Sequence, residues 1–275
     1  MPLVLMYITN NPKIALIAEK YGVDRIWIDL ETLGKEERQK GLNTVKSKHT
    51  IDDIREIKPL LTTSQLLVRV NPWNVCSIKE IDDVISAGAD IVMLPMWKTS
   101  QEVENFVRAV DGRCKTTLLL ETKEAVECLD DVLQLGGIDE IHIGLNDLHL
   151  SYKLDFMFEL LTNGTVEKLT KKIRKAGLPY GFGGIARIGS GDLPAEKIII
   201  EHYRLQSTRA ILSRSFCNTE VVSDLKEIER LFKENMRVLR EYEMTIGKTT
   251  DFISNEKEIK RIVENIVNKK KELKK

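Results

Sequence analysis

Residues 91–96 read Ile91-Val92-Met93-Leu94-Pro95-Met96, residues 100–110 read SQEVENFVRAV, and residues 116–121 read Thr116-Thr117-Leu118-Leu119-Leu120-Glu121. Two short, continuous apolar runs flank one amphipathic stretch. A strand with one wet face would alternate apolar and polar residues; these runs do not, so they suit strands buried on both faces, as in a parallel sheet. An amphipathic helix between two such strands is a βαβ unit.

The alternation continues in both directions. Strand-like runs lie at Leu3–Thr9, Arg25–Leu30, Gln65–Val70, Glu140–Leu145, Tyr180–Ile185 and Arg209–Phe216. Helical spacing is read over Pro12–Tyr21, Ile51 to about Leu61, Ser77–Ala87, Lys123–Gln134, a stretch ending near Ala176, Pro194–Leu205 and Val222–Met244. Eight strand-then-helix units predict an α/β fold of the (β/α)8 TIM-barrel type, for which about 250 residues is typical. A doubly wound open sheet would carry a glycine-rich phosphate turn after its first strand, and Thr9-Asn10-Asn11-Pro12 is not one. The barrel is expected over residues 1–248, with a C-terminal helical extension over 249–275. In that extension Phe252, Ile259, Ile262, Val263 and Ile266 share a helical face, to be covered by the barrel itself or by a neighbouring subunit. The last seven residues, Lys269–Lys275, are expected to fray.

Composition narrows the functional class. Lys+Arg and Asp+Glu are both 42, so the formal net charge is zero, which argues against a general nucleic-acid binder. No apolar run is long enough to span a bilayer. The opening Met1–Tyr7 has no basic stretch before its apolar residues and reads as a first strand, not a secretory signal. The four cysteines (Cys76, Cys114, Cys128, Cys217) form no CxxC pair; they imply reduced thiols in a cytoplasmic protein and no structural zinc.

A parallel barrel gathers its chemistry at the carboxyl ends of its strands. There stand Asp29 and Glu31, Arg69 and Asn71, Pro95, Met96 and Trp97, Glu121, Asn146 and Asp147, Gly183 and Gly184, and Ser213 and Arg214. Glu121 and Asp147 end adjacent strands. Two carboxylates with waters and a chelating substrate make a hard oxygen site suited to Mg²⁺ or Mn²⁺. Both acids read equally well as first-turn or capping residues favoured by a helix dipole. Arg69 needs an anionic partner, either an internal one such as Asp29 or a substrate carboxylate. His49 lies in a long polar loop and is a candidate general base, although a lone loop histidine is more often surface. Trp97 reads as a pocket wall or as packing, and the glycines near Gly184 as a close backbone approach or a turn.

Four stretches resemble one known family. Asp24–Glu31 (DRIWIDLE) is similar to its strand ending in Asp-x-Glu. Val68–Pro72 (VRVNP) is similar to the arginine strand of its citrate lyase branch. Gly88–Met96 (GADIVMLPM) is similar to its Gly-Ala…Pro-Met strand. Leu120–Ala125 with Gly137–Leu148 is similar to its paired metal-ligand motifs. The family is the HpcH/HpaI aldolase and citrate lyase β-subunit superfamily of phosphoenolpyruvate/pyruvate-binding barrels. The resemblance implies a cytoplasmic, homo-oligomeric, Mg²⁺- or Mn²⁺-dependent lyase that makes or breaks a carbon–carbon bond beside a 2-oxo acid. Its small-molecule partners would be a 2-oxo acid and an aldehyde. Metal ligands map onto Glu121 and Asp147, and the enolate-steadying arginine onto Arg69. Glu31, Asn146, Pro95, Trp97 and Gly184 are the expected substrate contacts.

The departures are specific. Thr32 stands where the aldolase branch has a histidine and the citrate lyase branch an acid, which leaves His49 or a metal-bound water as the base. The glycine-rich loop between the fourth and fifth strands is absent. Lys35, Arg38, Lys40, Lys46 and Lys48 enrich the loop after the second strand, either as a solvated loop or for an additional anionic group on the substrate. The alternatives to an aldolase are an acyl lyase of the citrate lyase or malyl-thioester type, and a barrel that has lost catalysis and binds a metabolite.

Overall fold

The computed structural model describes residues 1–34, 48–219, 221–247 and 250–273. Its strands are β1 (Val4–Ile8), β2 (Arg25–Asp29), β3 (Gln65–Arg69), β4 (Ile91–Leu94), β5 (Lys115–Leu120), β6 (Glu140–Ile143), β7 (Tyr180–Ile185) and β8 (Arg209–Leu212). They close into a barrel in sequence order, and pairing is parallel from β1 through β5 and between β7 and β8. The α/β barrel expected from the alternation is the fold. The chain divides into two compact units, Met6–His142 and Met1–Leu5 with Ile143–Lys275.

In the first unit the helices are α1 (Pro12–Lys20), α2 (Ile51–Ile57), α3 (Ser77–Ala87), α4 (Ser100–Val110), α5 (Lys123–Glu127) and α6 (Leu129–Val132). Local chemistry sets their starts. Asn11 Oδ1 accepts the Lys13 and Ile14 amides ahead of α1, with Pro12 in its first turn. Thr99 and Glu102 form a capping box on α4. The single helix expected over Lys123–Gln134 is instead two short ones: Cys128, at φ −98° and ψ 9°, leaves helical geometry and ends the first. Every residue of β2 and β4 is buried, as continuous apolar runs require.

Two polar groups interrupt the β2 run. Arg25, at its amino end, pairs with buried Glu140: Nη2 donates to Oε2 at 2.9 Å, and Nη1 contacts Oε1. Thr117 Oγ1 donates to the same carboxylate at 2.8 Å. Asp29, at the carboxyl end, belongs to the site described below. The polar loop residues Lys35, Arg38, Lys40 and Lys46 lie outside the described residues; Lys48 is exposed.

The second unit carries α7 (Leu145–Ser151), α8 (Glu159–Thr162), α9 (Thr165–Lys175), α10 (Ala195–Arg204), α11 (Leu225–Thr245) and α12 (Phe252–Leu273). The apolar face of α12, through Ile259, Val263 and Val267, is buried, and this helix packs on α10 and α8 of its own chain. Asn255 Nδ2 donates to Lys197 O and Glu201 Oε1, each at 3.2 Å. The fraying expected from Lys269 onward does not occur within the described residues: α12 continues to Leu273. Lys270 Nζ donates to Asp155 O at 3.2 Å and lies 4.8 Å from the Phe156 ring centroid. All four cysteines are thiols. Among the described residues no helix is long and apolar enough to cross a membrane.

Candidate active site

In the first unit, the carboxyl ends of β2, β3 and β5 assemble one charged cluster. Asp29, the last residue of β2, is opposite Arg69, the last of β3, in parallel register. Arg69 Nε donates to Asp29 Oδ1 at 2.8 Å, and Nη2 donates to Oδ2 at 2.9 Å. Nη1 lies 3.2 Å from Glu31 Oε2. Arg69 Cζ lies over the Trp27 ring, 5.4 Å from its centroid, within cation–π range. Asp29, Glu31 and Glu121 are buried. Burial by itself pushes the Arg69 pKa down. The charges of Asp29 and Glu31, the Asp29 hydrogen bonds and the charge of Glu121 outweigh it, so the net shift is upward and the group stays ionised.

Of the two partners open to Arg69, the internal one is therefore present. A guanidinium has five N–H donors. Asp29 takes two and Glu31 sits at a third, so N–H groups remain on Nη1 and Nη2 for an incoming oxygen.

Glu121 follows β5 directly. Its capping alternative does not hold, because Thr122 Oγ1 is the cap of α5 and accepts the Ala125 amide at 3.1 Å. Glu121 Oε1 instead accepts the Met96 amide at 3.1 Å. Met96 holds φ at 53°, an uncommon backbone for a non-glycine residue and one that collects at functional sites. Pro95 and Trp97 on either side of Met96 are buried. Trp97 is 1% exposed, and its carbonyl accepts Thr122 Oγ1 at 2.8 Å.

His49 approaches the same cluster. Its Nδ1 accepts the Asp29 amide at 2.9 Å. Nδ1 is thus the acceptor of the neutral ring and Nε2 carries the proton. In that tautomer Nε2 has no lone pair with which to take a proton, which runs against the expected general-base role. Asn71 Oδ1, two residues past β3, accepts the Thr32 and Leu33 amides at 2.9 and 3.0 Å and so holds the start of the loop after β2.

In the second unit, Asn146 and Asp147 lie in the first turn of α7, both half-buried. The Asn146 carbonyl contacts His149 Nδ1. Gly183 needs its glycine: φ is +52°, and a Cβ there would come 2.7 Å from Leu145 Cδ1. Gly184 has ordinary room for a Cβ, 3.5 Å from the Ile211 carbonyl oxygen; it lines a cleft between the ends of β7 and β8. Trp27 as the support of Arg69, and Met96 as the amide donor to Glu121, were not singled out in the sequence; only the alternation that points every second β2 residue to one side could have marked Trp27 with Asp29.

Among the described residues no group of three or more His, Cys, Asp or Glu side chains gathers as a ready metal cage. Glu121 and Asp147, the acids that the resemblance assigns, offer only hard oxygen donors. Each is a hard oxygen donor of the kind that Mg²⁺ and Mn²⁺ take, Glu121 in the first unit and Asp147 in the second.

A parallel α/β barrel with charged side chains gathered at its strand ends is a common enzyme scaffold. The family match makes this specific. The HpcH/HpaI aldolase/citrate lyase family matches residues 3–178, and the chain belongs to that family. Among curated proteins it is similar to a 2-keto-3-deoxy-L-rhamnonate aldolase of Shigella dysenteriae serotype 1 (strain Sd197), 30% identical over 100 residues. That match spans 36% of each chain, about a third of the relative's length. Among solved structures it is similar to an HpcH/HpaI aldolase from Desulfitobacterium hafniense DCB-2, with TM-score 0.63, 16% identity and coverage of 77% of this chain and 86% of that one. An HpcH/HpaI aldolase/citrate lyase family protein from Burkholderia cenocepacia J2315 follows, with TM-score 0.57, 12% identity and coverage of 87% and 94%. At these identities the structural likeness speaks for the fold.

Proposed function

We propose that the protein is a divalent-metal-dependent carbon–carbon lyase of the class II aldolase type, which cleaves or forms a 2-oxo-4-hydroxy acid through a pyruvate-type enolate. The observation that carries this reading is Arg69: a largely enclosed, permanently charged guanidinium at a strand end, braced by Asp29 and Glu31, with N–H groups on Nη1 and Nη2 beyond those that Asp29 and Glu31 take. In a family of carbon–carbon lyases, that is the group an enolate oxygen needs. Glu121 and Asp147 would hold Mg²⁺ or Mn²⁺, which when bound supplies Lewis-acid stabilisation of the developing charge. Arg69 orients and stabilises the enolate oxygen, while Glu31 and Asp29 keep the guanidinium in place. Asn146, Pro95, Trp97 and Gly184 stand in this reading as the substrate's other contacts. With Nδ1 engaged by Asp29, we assign His49 the role of a hydrogen-bond donor through Nε2–H in place of a base. The same reading makes the protein a cytoplasmic homo-oligomer, to be measured by light scattering.

The deciding experiment follows pyruvate release from a 2-oxo-4-hydroxy acid. Turnover should vanish with EDTA and return with Mg²⁺ or Mn²⁺. EDTA-resistant turnover that borohydride abolishes would indicate a Schiff base and overturn the proposal. Turnover seen only with an acyl thioester would transfer the protein to the citrate lyase-type branch.

A further inference from the structure

Successive residues of a strand alternate between its two faces, so Arg25, Trp27 and Asp29 of β2 share one. In the parallel register Trp27 is opposite Leu67, and Asp29 is opposite Arg69. Arg69 reaches back along the strand: its Cζ lies over the Trp27 ring, 5.4 Å from the centroid. All of these residues belong to the first unit.

Packing alone does not account for a tryptophan at this position. Trp27 is 2% exposed, and among the described residues its Nε1 has no hydrogen-bond partner. A buried indole N–H ordinarily finds an acceptor, and leaving it without one is unfavourable. Leucine or phenylalanine would fill apolar space with no donor to orphan. What tryptophan adds is its ring face, the best cation–π surface among the side chains.

That face holds the guanidinium in a way the carboxylates do not. Asp29 takes the Nε and Nη2 donors at 2.8 and 2.9 Å, and Glu31 Oε2 lies 3.2 Å from Nη1. Each of those holds uses N–H groups, of which a guanidinium has five. Another carboxylate or carbonyl in place of the ring would use more of them. The ring attracts the charge and takes no N–H.

We propose that Trp27 is a positioning residue for the enolate chemistry: its ring face steadies the Arg69 guanidinium through the charge, and so leaves N–H groups for the substrate oxygen. The inference rests on the lyase reading, which supplies that oxygen. A group held in place matters most where charge develops, in the transition state. Weakening the hold therefore lowers kcat more than it raises KM.

The reaction that tests this is exchange of the C3 protons of pyruvate in D2O with MgCl2 or MnCl2, followed by proton NMR. C3 gives a proton to the solvent and takes back a deuteron through the enolate; nothing is oxidised or reduced. Tetrafluorotryptophan, placed at position 27 alone by nonsense suppression, keeps the shape of the ring and withdraws the electron density of its face. It should lower kcat by about fivefold or more, within the reach of a desolvated cation–π contact, with a smaller change in KM. Trp27→Leu should lose at least as much. If the leucine variant fails to fold, the fluorinated protein decides alone. If the parent exchanges but the fluorinated protein loses less than that, or loses through KM instead of kcat, the ring acts by packing and the role of Trp27 is overturned without touching the lyase reading. If the parent exchanges with neither metal, the lyase reading falls and takes this role with it.

Discussion

Arg69 and Asp29 form a two-pronged, largely enclosed pair across neighbouring strands, Nε to Oδ1 at 2.8 Å and Nη2 to Oδ2 at 2.9 Å, with side-chain exposures of 12% and 2%. Such a pair is costly to break from one side, because the remaining charge stays buried. Asp29→Ala should destabilise the fold by about 3–5 kcal/mol, read from urea denaturation midpoints. A change below about 1 kcal/mol would mean that Arg69 finds other compensation.

His49 offers a spectroscopic prediction. Because Nδ1 accepts the Asp29 amide, the neutral ring should carry its proton on Nε2. Long-range nitrogen–proton NMR of histidine-labelled protein above pH 8 should show that tautomer for His49. A proton on Nδ1 would free Nε2 for base chemistry and restore the general-base role.

Much of the fold was legible because each strand is a continuous apolar run, and the reason is burial on both faces. The carboxyl-end residues were legible for the same reason, since a charge that terminates such a run needs a function or a partner. What was not legible depends on contacts distant in sequence. Arg25 and Glu140 are 115 positions apart, on strands that are not neighbours in the barrel, and only the closure of the sheet brings them together. The break at Cys128 has no glycine or proline to announce it. The order of α12 to Leu273 comes from Asp155 and Phe156, which no local pattern in a lysine-rich tail can show. The tautomer of His49 depends on one backbone amide, which composition and spacing do not encode.

Glu19 predicts a pH dependence. Its Oε1 accepts the amides of Thr62, Thr63 and Ser64 at 2.8, 2.7 and 2.8 Å. Burial alone pushes its pKa up, but the amides of Ser64, Thr63 and Thr62 together outweigh it, and the group is held below its ordinary value of 4.5. A carboxylate with a lower pKa folded than unfolded adds stability that is fully present above the unfolded value and lost as pH falls through the folded one. Glu19→Gln should therefore cost roughly 1 kcal/mol at pH 7. The gap between variant and parent should close as the pH is taken below 4.5, measured by urea denaturation across that range. A gap that stays constant down to strongly acidic pH would show that the charge contributes nothing.

The two acids assigned to the cation make separable predictions. Glu121→Gln keeps an oxygen for the Met96 amide but removes one of the negative charges around Arg69. Asp147→Asn leaves the first turn of α7 with a neutral side chain in place of an acid, at a cost of up to about 1 kcal/mol from the helix dipole. Neither change should unfold the protein, so circular dichroism spectra should match the parent. Each should weaken Mn²⁺ binding at least tenfold, which is about 1.4 kcal/mol, measured by calorimetry or by the loss of the free-ion electron paramagnetic resonance signal on titration with protein. If one variant binds normally, that acid is not a ligand and its burial or helix position explains it. If both bind normally, the cation lies elsewhere, and Arg69 must stabilise the enolate without the two acids assigned here.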